Sequence, residues 1–262
     1  MDNCLSLNLQ DSSAVCYKDA SGIHSFGKEP MSDTVGQSYR QKDLIAMNMD
    51  ALSPIQFDKK YNESLIEIRS KLDIPEEWQN TPIEAFIMSQ NFGWPIQTSG
   101  TPELLIATCI EFRYALPVPR MYAYVIRRAS GRVIGSEFSV GYTLAKGVKY
   151  FVIIGHNDCG MSKVHDMAPL VVDALVEQGW SRKMAEEYVK KHGSRHAIAD
   201  ELVALRDEYI RLRQIFRKLL IAPLFVSLYD SKLYLPKWYR EVELQESHPG
   251  SSVPDELIRN LA

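Results

Sequence analysis

Two short stretches hold residue types that do chemistry. In LLIATCIEFRYALPVP, residues 104–119, a thiol, an acid and a base alternate as Cys109, Glu111 and Arg113. In YFVIIGHNDCGMSKV, residues 150–164, His156 and Cys159 stand three apart, flanked by Gly155 and Gly160. Two thiolates and an imidazole form a Cys2His set, which suits zinc, a metal that takes sulfur and nitrogen ligands in a tetrahedron. Three protein ligands leave a fourth position for water or for another side chain, which separates a catalytic site from a structural one. The blander reading is two core cysteines and a stray histidine, because a lone buried cysteine behaves as a small hydrophobe.

Side chains two apart on a strand point the same way. Cys109, Glu111 and Arg113 therefore share a face if the chain stays extended, and the apolar run ELLIATCI (103–110) predicts a buried parallel strand that ends there. MYAYVIRRAS (121–130) predicts a second strand and VKYFVIIGH (148–156) a third, with His156 at its C-terminal end. Ligands in open α/β sheets sit at that end of the strands. SEFSVGYTLAKG (136–147) predicts a helix closed by Gly147, and residues 160–179 predict another. A charged helical region from Ser181 to Leu220 is expected to break near Gly193, and APLFVSLYDSKLYLP (222–236) reads as a strand, a turn and a short return. Earlier in the chain, NESLIEIRSKL (62–72) has helical spacing, and Thr81 followed by Pro82 is a helix start. The expected fold is α/β, a mostly parallel central sheet flanked by helices.

With 45% hydrophobic and 24% charged residues, the 262-residue chain has the composition of a globular protein. The net charge of −3 and pI near 6.1 argue against a nucleic-acid partner. Lys190, Lys191, His192, Arg195 and His196 lie among Glu186, Glu187 and Glu201, as on a solvated helix face. No apolar run reaches membrane-spanning length, and the first residues carry no basic and apolar signal pattern. Four cysteines, Cys4, Cys16, Cys109 and Cys159, are too few and scattered for a disulfide framework, so a reducing cytoplasmic setting is expected. Residues 1–45 form a polar segment expected to be poorly ordered or draped on a partner. Residues 46–262 are expected to form a single domain.

CIEFR followed by GVKYFVIIGHNDCGM resembles the β-class carbonic anhydrases, whose pattern is Cys-x-Asp-x-Arg and then Gly-His-x-x-Cys-Gly. YVIRRAS resembles their Val-Arg-Asn-Ala-Gly, and LFVSLYDSKLYL their closing strand. The resemblance covers roughly residues 100–165 and 222–236. It implies a β-carbonic-anhydrase-like fold and zinc held by Cys109, His156 and Cys159. It places Glu111 and Arg113 as the catalytic acid–arginine dyad and makes a homodimer the smallest unit. The implied reaction is reversible hydration of CO2 to bicarbonate by a zinc-bound hydroxide. Two thiolates cancel the metal's charge, so activity is expected to rise toward alkaline pH. Phe112, Tyr114 and Phe138 are candidate walls for an apolar CO2 pocket, and His165 a candidate proton shuttle, though core packing and a surface position are the plainer readings.

The chain also departs from the family. Glu111 stands in place of aspartate, and its extra methylene could bring the carboxylate onto the metal as a fourth ligand. Aligned on Pro102, Gly100 replaces a family Gln. Arg128 and Ser130 replace the Asn and Gly of the family motif. These changes keep two alternatives open: a non-catalytic zinc-binding relative acting by assembly or binding, and a same-fold hydrolase of carbonyl sulfide or carbon disulfide.

Overall fold

The computed structural model describes residues 17–18, 24–25, 61–98 and 100–245. The chain divides into two compact units, Met1–Ala46 and Met47–Ala262. In the first, the described residues are β1 (Tyr17–Lys18) and β2 (His24–Ser25), paired antiparallel. Cys4, Cys16 and the expected order of the N-terminal segment lie outside the described residues.

The second unit holds a six-stranded mixed sheet in the order β3-β8-β7-β6-β4-β5. Its strands are β3 (Leu65–Glu67), β4 (Leu104–Thr108), β5 (Ala123–Arg127), β6 (Tyr150–His156), β7 (Leu220–Val226) and β8 (Leu233–Pro236). β5, β4, β6 and β7 run parallel, and β8 and β3 add to that block antiparallel. The described helices are α1 (Pro82–Phe92), α2 (Glu137–Ala145), α3 (Val164–Glu177), α4 (Arg182–His196), α5 (Glu201–Ile215) and α6 (Trp238–Gln245). All five residues of β4 are buried, as expected of a parallel strand covered on both faces. α5 packs on β6 and β7, α1 packs on β6 and β8, and α3 pairs with α4.

Local chemistry explains most boundaries. Thr81 accepts from the Ile83 N–H and Pro82 occupies the first turn of α1, which ends at Gly93 in the left-handed conformation. α2 stops just before Gly147, whose φ is +99°.

Two expectations are corrected. Residues 62–72 do not form a helix: Leu65–Glu67 pairs with Tyr234–Pro236 as β3, and a capping box of Ser70 and Asp73 then closes a 3-10 turn. The helical stripe would have buried Leu72 with Leu65 and Ile68, yet Leu72 is 89% exposed. The open edge of β8 supplies hydrogen bonds that a short isolated helix could not match. The break in the 181–220 region falls at 197–200 rather than at Gly193, which lies inside α4. Asp200 makes the break by accepting from the N–H groups of Leu202 and Val203 at the start of α5.

Candidate metal centre

β4 and β6 are neighbours, with Thr108 paired to Ile154. Their C-terminal ends therefore deliver Cys109 and His156 to the same place, and a turn after β6 brings in Cys159. One ligand atom from each of Cys109, His156 and Cys159 lies within 4.8 Å of the others, and all three residues are buried. The two sulfurs are 4.0 Å apart and both cysteines are free. A disulfide needs about 2.05 Å. Two sulfurs each about 2.3 Å from a tetrahedral zinc stand about 3.8 Å apart, so the spacing fits a shared metal.

The imidazole is set for ligation. His156 Nδ1 lies 2.9 Å from the Asn157 carbonyl, which makes Nδ1–H the donor and leaves the lone pair on Nε2. Nε2 is buried and has no hydrogen-bond partner. An orphaned buried acceptor is costly unless something occupies it. The Cys159 thiol, hydrogen-bonded to Cys109, holds Cys109 far below the ordinary thiol range, and neighbouring His156 adds to the effect. That same hydrogen bond, with burial, pushes Cys159 up. Burial disfavours a charged His156, but its interaction with Cys109 wins and raises it. Two sulfurs and an imidazole nitrogen within 4.8 Å of one another make a donor set that fits zinc.

The strand face invoked for Glu111 and Arg113 does not exist. β4 ends at Thr108, and the chain turns through residues 109–114. Gly131 makes this possible: at φ +72° it sits so close beneath the turn that a Cβ would lie 3.1 Å from the Ile154 carbonyl oxygen and 3.3 Å from the Cys109 nitrogen. Glu111 and Arg113 nevertheless pair as a dyad. Glu111 Oε1 accepts from the Arg113 backbone N–H at 2.8 Å and from Nε at 2.7 Å, and Oε2 accepts from Nη2 at 2.8 Å. Burial pushes the Glu111 carboxyl up, but these bonds and the guanidinium charge hold it below the ordinary carboxylate range. Arg113 in turn is raised by its bonds to Glu111. Both Glu111 oxygens face Arg113, and among the described residues the ligand group contains the two cysteines and the histidine alone.

Three further residues belong to this site, and one of them, Glu201, was expected on a solvated helix face. Asp158 takes the left-handed backbone at φ +51° that makes the turn between His156 and Cys159. Its Oδ2 accepts from Arg113 Nη1 at 2.8 Å and its carbonyl from Nη2 at 3.1 Å. Arg127 donates to the carbonyls of Cys109, Glu111 and Tyr114 at 3.1–3.3 Å, which fastens the turn. Glu201 is buried at the start of α5, where it accepts from the Cys159 N–H at 3.4 Å and from the Tyr61 hydroxyl at 3.2 Å. A cavity of about 20 Å³ beside His156, Cys159 and Glu201 has room for about one water. An acid facing Arg113 from the second motif was the available signal for Asp158. Nothing in the local sequence marks Arg127 or Glu201.

Tyr114 is a core residue whose hydroxyl donates to Gln90. Phe112 and Phe138 are each 86% exposed, and His165 lies exposed on α3. Arg128 donates to Ser136.

No family model and no curated protein matches this chain. Among solved structures it is similar to a β-carbonic anhydrase, isoform I, of Trichomonas vaginalis, at 19% identity and TM-score 0.43, over 54% of this chain and 86% of that one. It is similar to the apo form of a carbon disulfide hydrolase at 16% identity and TM-score 0.41, over 66% and 95% of the two chains. It is also similar to one of two tetrameric β-carbonic anhydrases of Sordaria macrospora, at 19% identity and TM-score 0.33, over 52% and 80%. The family that the sequence resembles is the one to which the first and third belong. At these identities the likeness is one of fold and does not extend to substrate.

Proposed function

We propose that this chain is a zinc-dependent carbonic anhydrase that converts CO2 and water to bicarbonate and a proton. The observation that carries the reading is the buried triangle of Cys109, His156 and Cys159, with its sulfurs 4.0 Å apart and His156 Nε2 unpartnered. These three residues hold the metal, and Asn157 fixes the imidazole tautomer. When bound, zinc supplies the Lewis acidity that lets water attack at near-neutral pH. Glu111 is the proton acceptor that orients the attacking water. Its Oε1 already takes two bonds, whereas Oε2 takes one and keeps capacity for another. Arg113 keeps that carboxylate ionised and in place.

The working unit in this reading is a homo-oligomer. Among the described residues β5 is an edge strand, and Val125 on it, with Ile110, Phe112 and Phe138, is an exposed apolar side chain. A second copy of the chain covers that edge, which a mass measurement in solution tests. Free cysteines at the centre fit a reducing, cytoplasmic compartment, and no described helix is long and apolar enough to cross a membrane.

The test of function is stopped-flow CO2 hydration by zinc-quantified protein across neutral to alkaline pH, beside His156→Ala. Turnover that rises with pH and disappears in the variant supports the proposal. Full zinc occupancy without a rate above buffer overturns it. Carbonyl sulfide and carbon disulfide in the same assay then separate a hydrolase of linear substrates from a non-catalytic zinc protein.

A further inference from the structure

Arg113 has two edges, and both are used. Nε and Nη2 grip the Glu111 carboxylate, and Nη1 and Nη2 reach across to Asp158. The contact with Asp158 differs from an ordinary surface ion pair. It includes the backbone carbonyl as well as the carboxylate, and the two side chains are 20% and 29% exposed. Asp158 is also the residue whose left-handed backbone sets the direction of the chain between His156 and Cys159. An aspartate adopts that conformation more readily than most residues, although glycine or asparagine would serve the turn alone as well. The carboxylate is what those replacements would not reproduce.

We infer that Asp158 is a positioning residue of the metal centre. Through Arg113 it ties the turn that carries Cys109 to the turn that carries His156 and Cys159, and it keeps Glu111 turned to Arg113 instead of to the metal. This inference rests on the reading that the cluster holds a metal. The path runs through adjoining atoms: Cys109 lies two residues before Glu111, Glu111 is bonded to Arg113, and Arg113 is bonded to the residue directly before Cys159. Outer partners of this kind commonly change metal affinity 10- to 100-fold, by fixing where the ligands stand.

Cobalt(II) titration of the metal-free full chain, followed by visible absorption, tests this without recourse to activity. The wild-type chain must first give a thiolate-to-cobalt band and the strong d–d absorption of a tetrahedral site; a chain that gives neither refutes the metal reading itself. Given that spectrum, Asp158→Gly keeps the freedom of the turn and removes the carboxylate. It is expected to weaken cobalt binding about 10- to 100-fold and to shift the d–d bands as the ligand geometry changes. Asp158→Asn retains one acceptor oxygen for Arg113 and falls between the two. In an Arg113→Met background, Asp158→Gly adds nothing further, because the route is already cut. Wild-type affinity and spectrum in Asp158→Gly overturn the inference, as do losses that simply add in the double variant.

Discussion

Exchanging Arg113 for methionine preserves an unbranched side chain and removes the guanidinium between Glu111 and Asp158. Glu111 loses its two side-chain bonds, at 2.7 and 2.8 Å, and keeps the backbone N–H at 2.8 Å. Its side chain is 8% exposed, so water does little to compensate. Removing one partner of a buried ion pair costs about 3–5 kcal/mol. The retained backbone bond and the partly exposed Asp158 side place this case at the low end, about 3 kcal/mol at pH 7. Urea unfolding in excess chelator isolates this effect from metal loss. With a slope of about 3 kcal/mol per molar for a domain of this size, the midpoint falls by about 1 M.

The pH dependence carries its own sign. In the native chain the Glu111 carboxyl sits below its ordinary value of 4.5, so its contribution is complete above that pH and fades as pH falls below it. In the variant, burial acts without the cation and raises the carboxyl above 4.5, so the variant recovers stability by protonation on the way down. The gap between the two proteins is widest near neutrality and narrows as pH approaches and passes 4.5. A gap smaller than about 0.5 kcal/mol at pH 7, the size of an ordinary surface substitution, or one that stays constant down to pH 4.5, would refute the reasoning.

Gly131→Ala forces a side chain at φ +72° against the Ile154 carbonyl and the Cys109 nitrogen. It should cost about 2–3 kcal/mol and loosen metal binding, and an unchanged thermal midpoint would show that the contact relaxes freely. Cys109→Ser should leave the purified protein with well under one zinc per chain after dialysis; stoichiometric, tightly held zinc would exclude Cys109 as a ligand. Arg127→Met strips donors from three carbonyls of the turn. Because Arg127 is itself exposed, the expected loss is about 1 kcal/mol, with weaker cobalt binding as the more sensitive readout. Equal cobalt affinity would mean that the turn holds its shape without the clamp.

Much of the architecture could be read from apolar runs bounded by turn residues. β4 is wholly buried and β6 and β7 nearly so, and their apolar runs announce themselves. β3 did not, because a three-residue edge strand has no period of its own and is decided by the partner it finds in β8. The clustering of Cys109, His156 and Cys159 was legible because Cys and His are scarce and fall at strand ends. The shared position of Glu111 and Arg113 was anticipated for a different reason from the one that operates: a turn held by Gly131 and Arg127 produces it, where alternation along a strand had been expected. Gly155 and Gly160 flank the second motif, but it is Asp158 within it that takes the positive φ. Contacts such as Arg127 to the Cys109 carbonyl depend on which strands become neighbours, and local sequence does not carry that information.

The placement of the trio on adjacent strands has a consequence for how the molecule assembles. Cys109 leaves β4, His156 ends β6, and these strands meet only after the whole β5–α2 excursion has been folded away between them. Parallel pairing of this kind carries a loop-closure cost before any contact is made. In the unfolded chain the thiol and the imidazole are remote, so a cation that needs both distinguishes sharply between the two states. Occupancy a thousandfold above the dissociation constant adds about 4 kcal/mol in favour of the closed sheet. If the cluster holds the metal proposed for it, the centre is a latch on the middle of the fold, and metal supply sets how much of the chain stays folded.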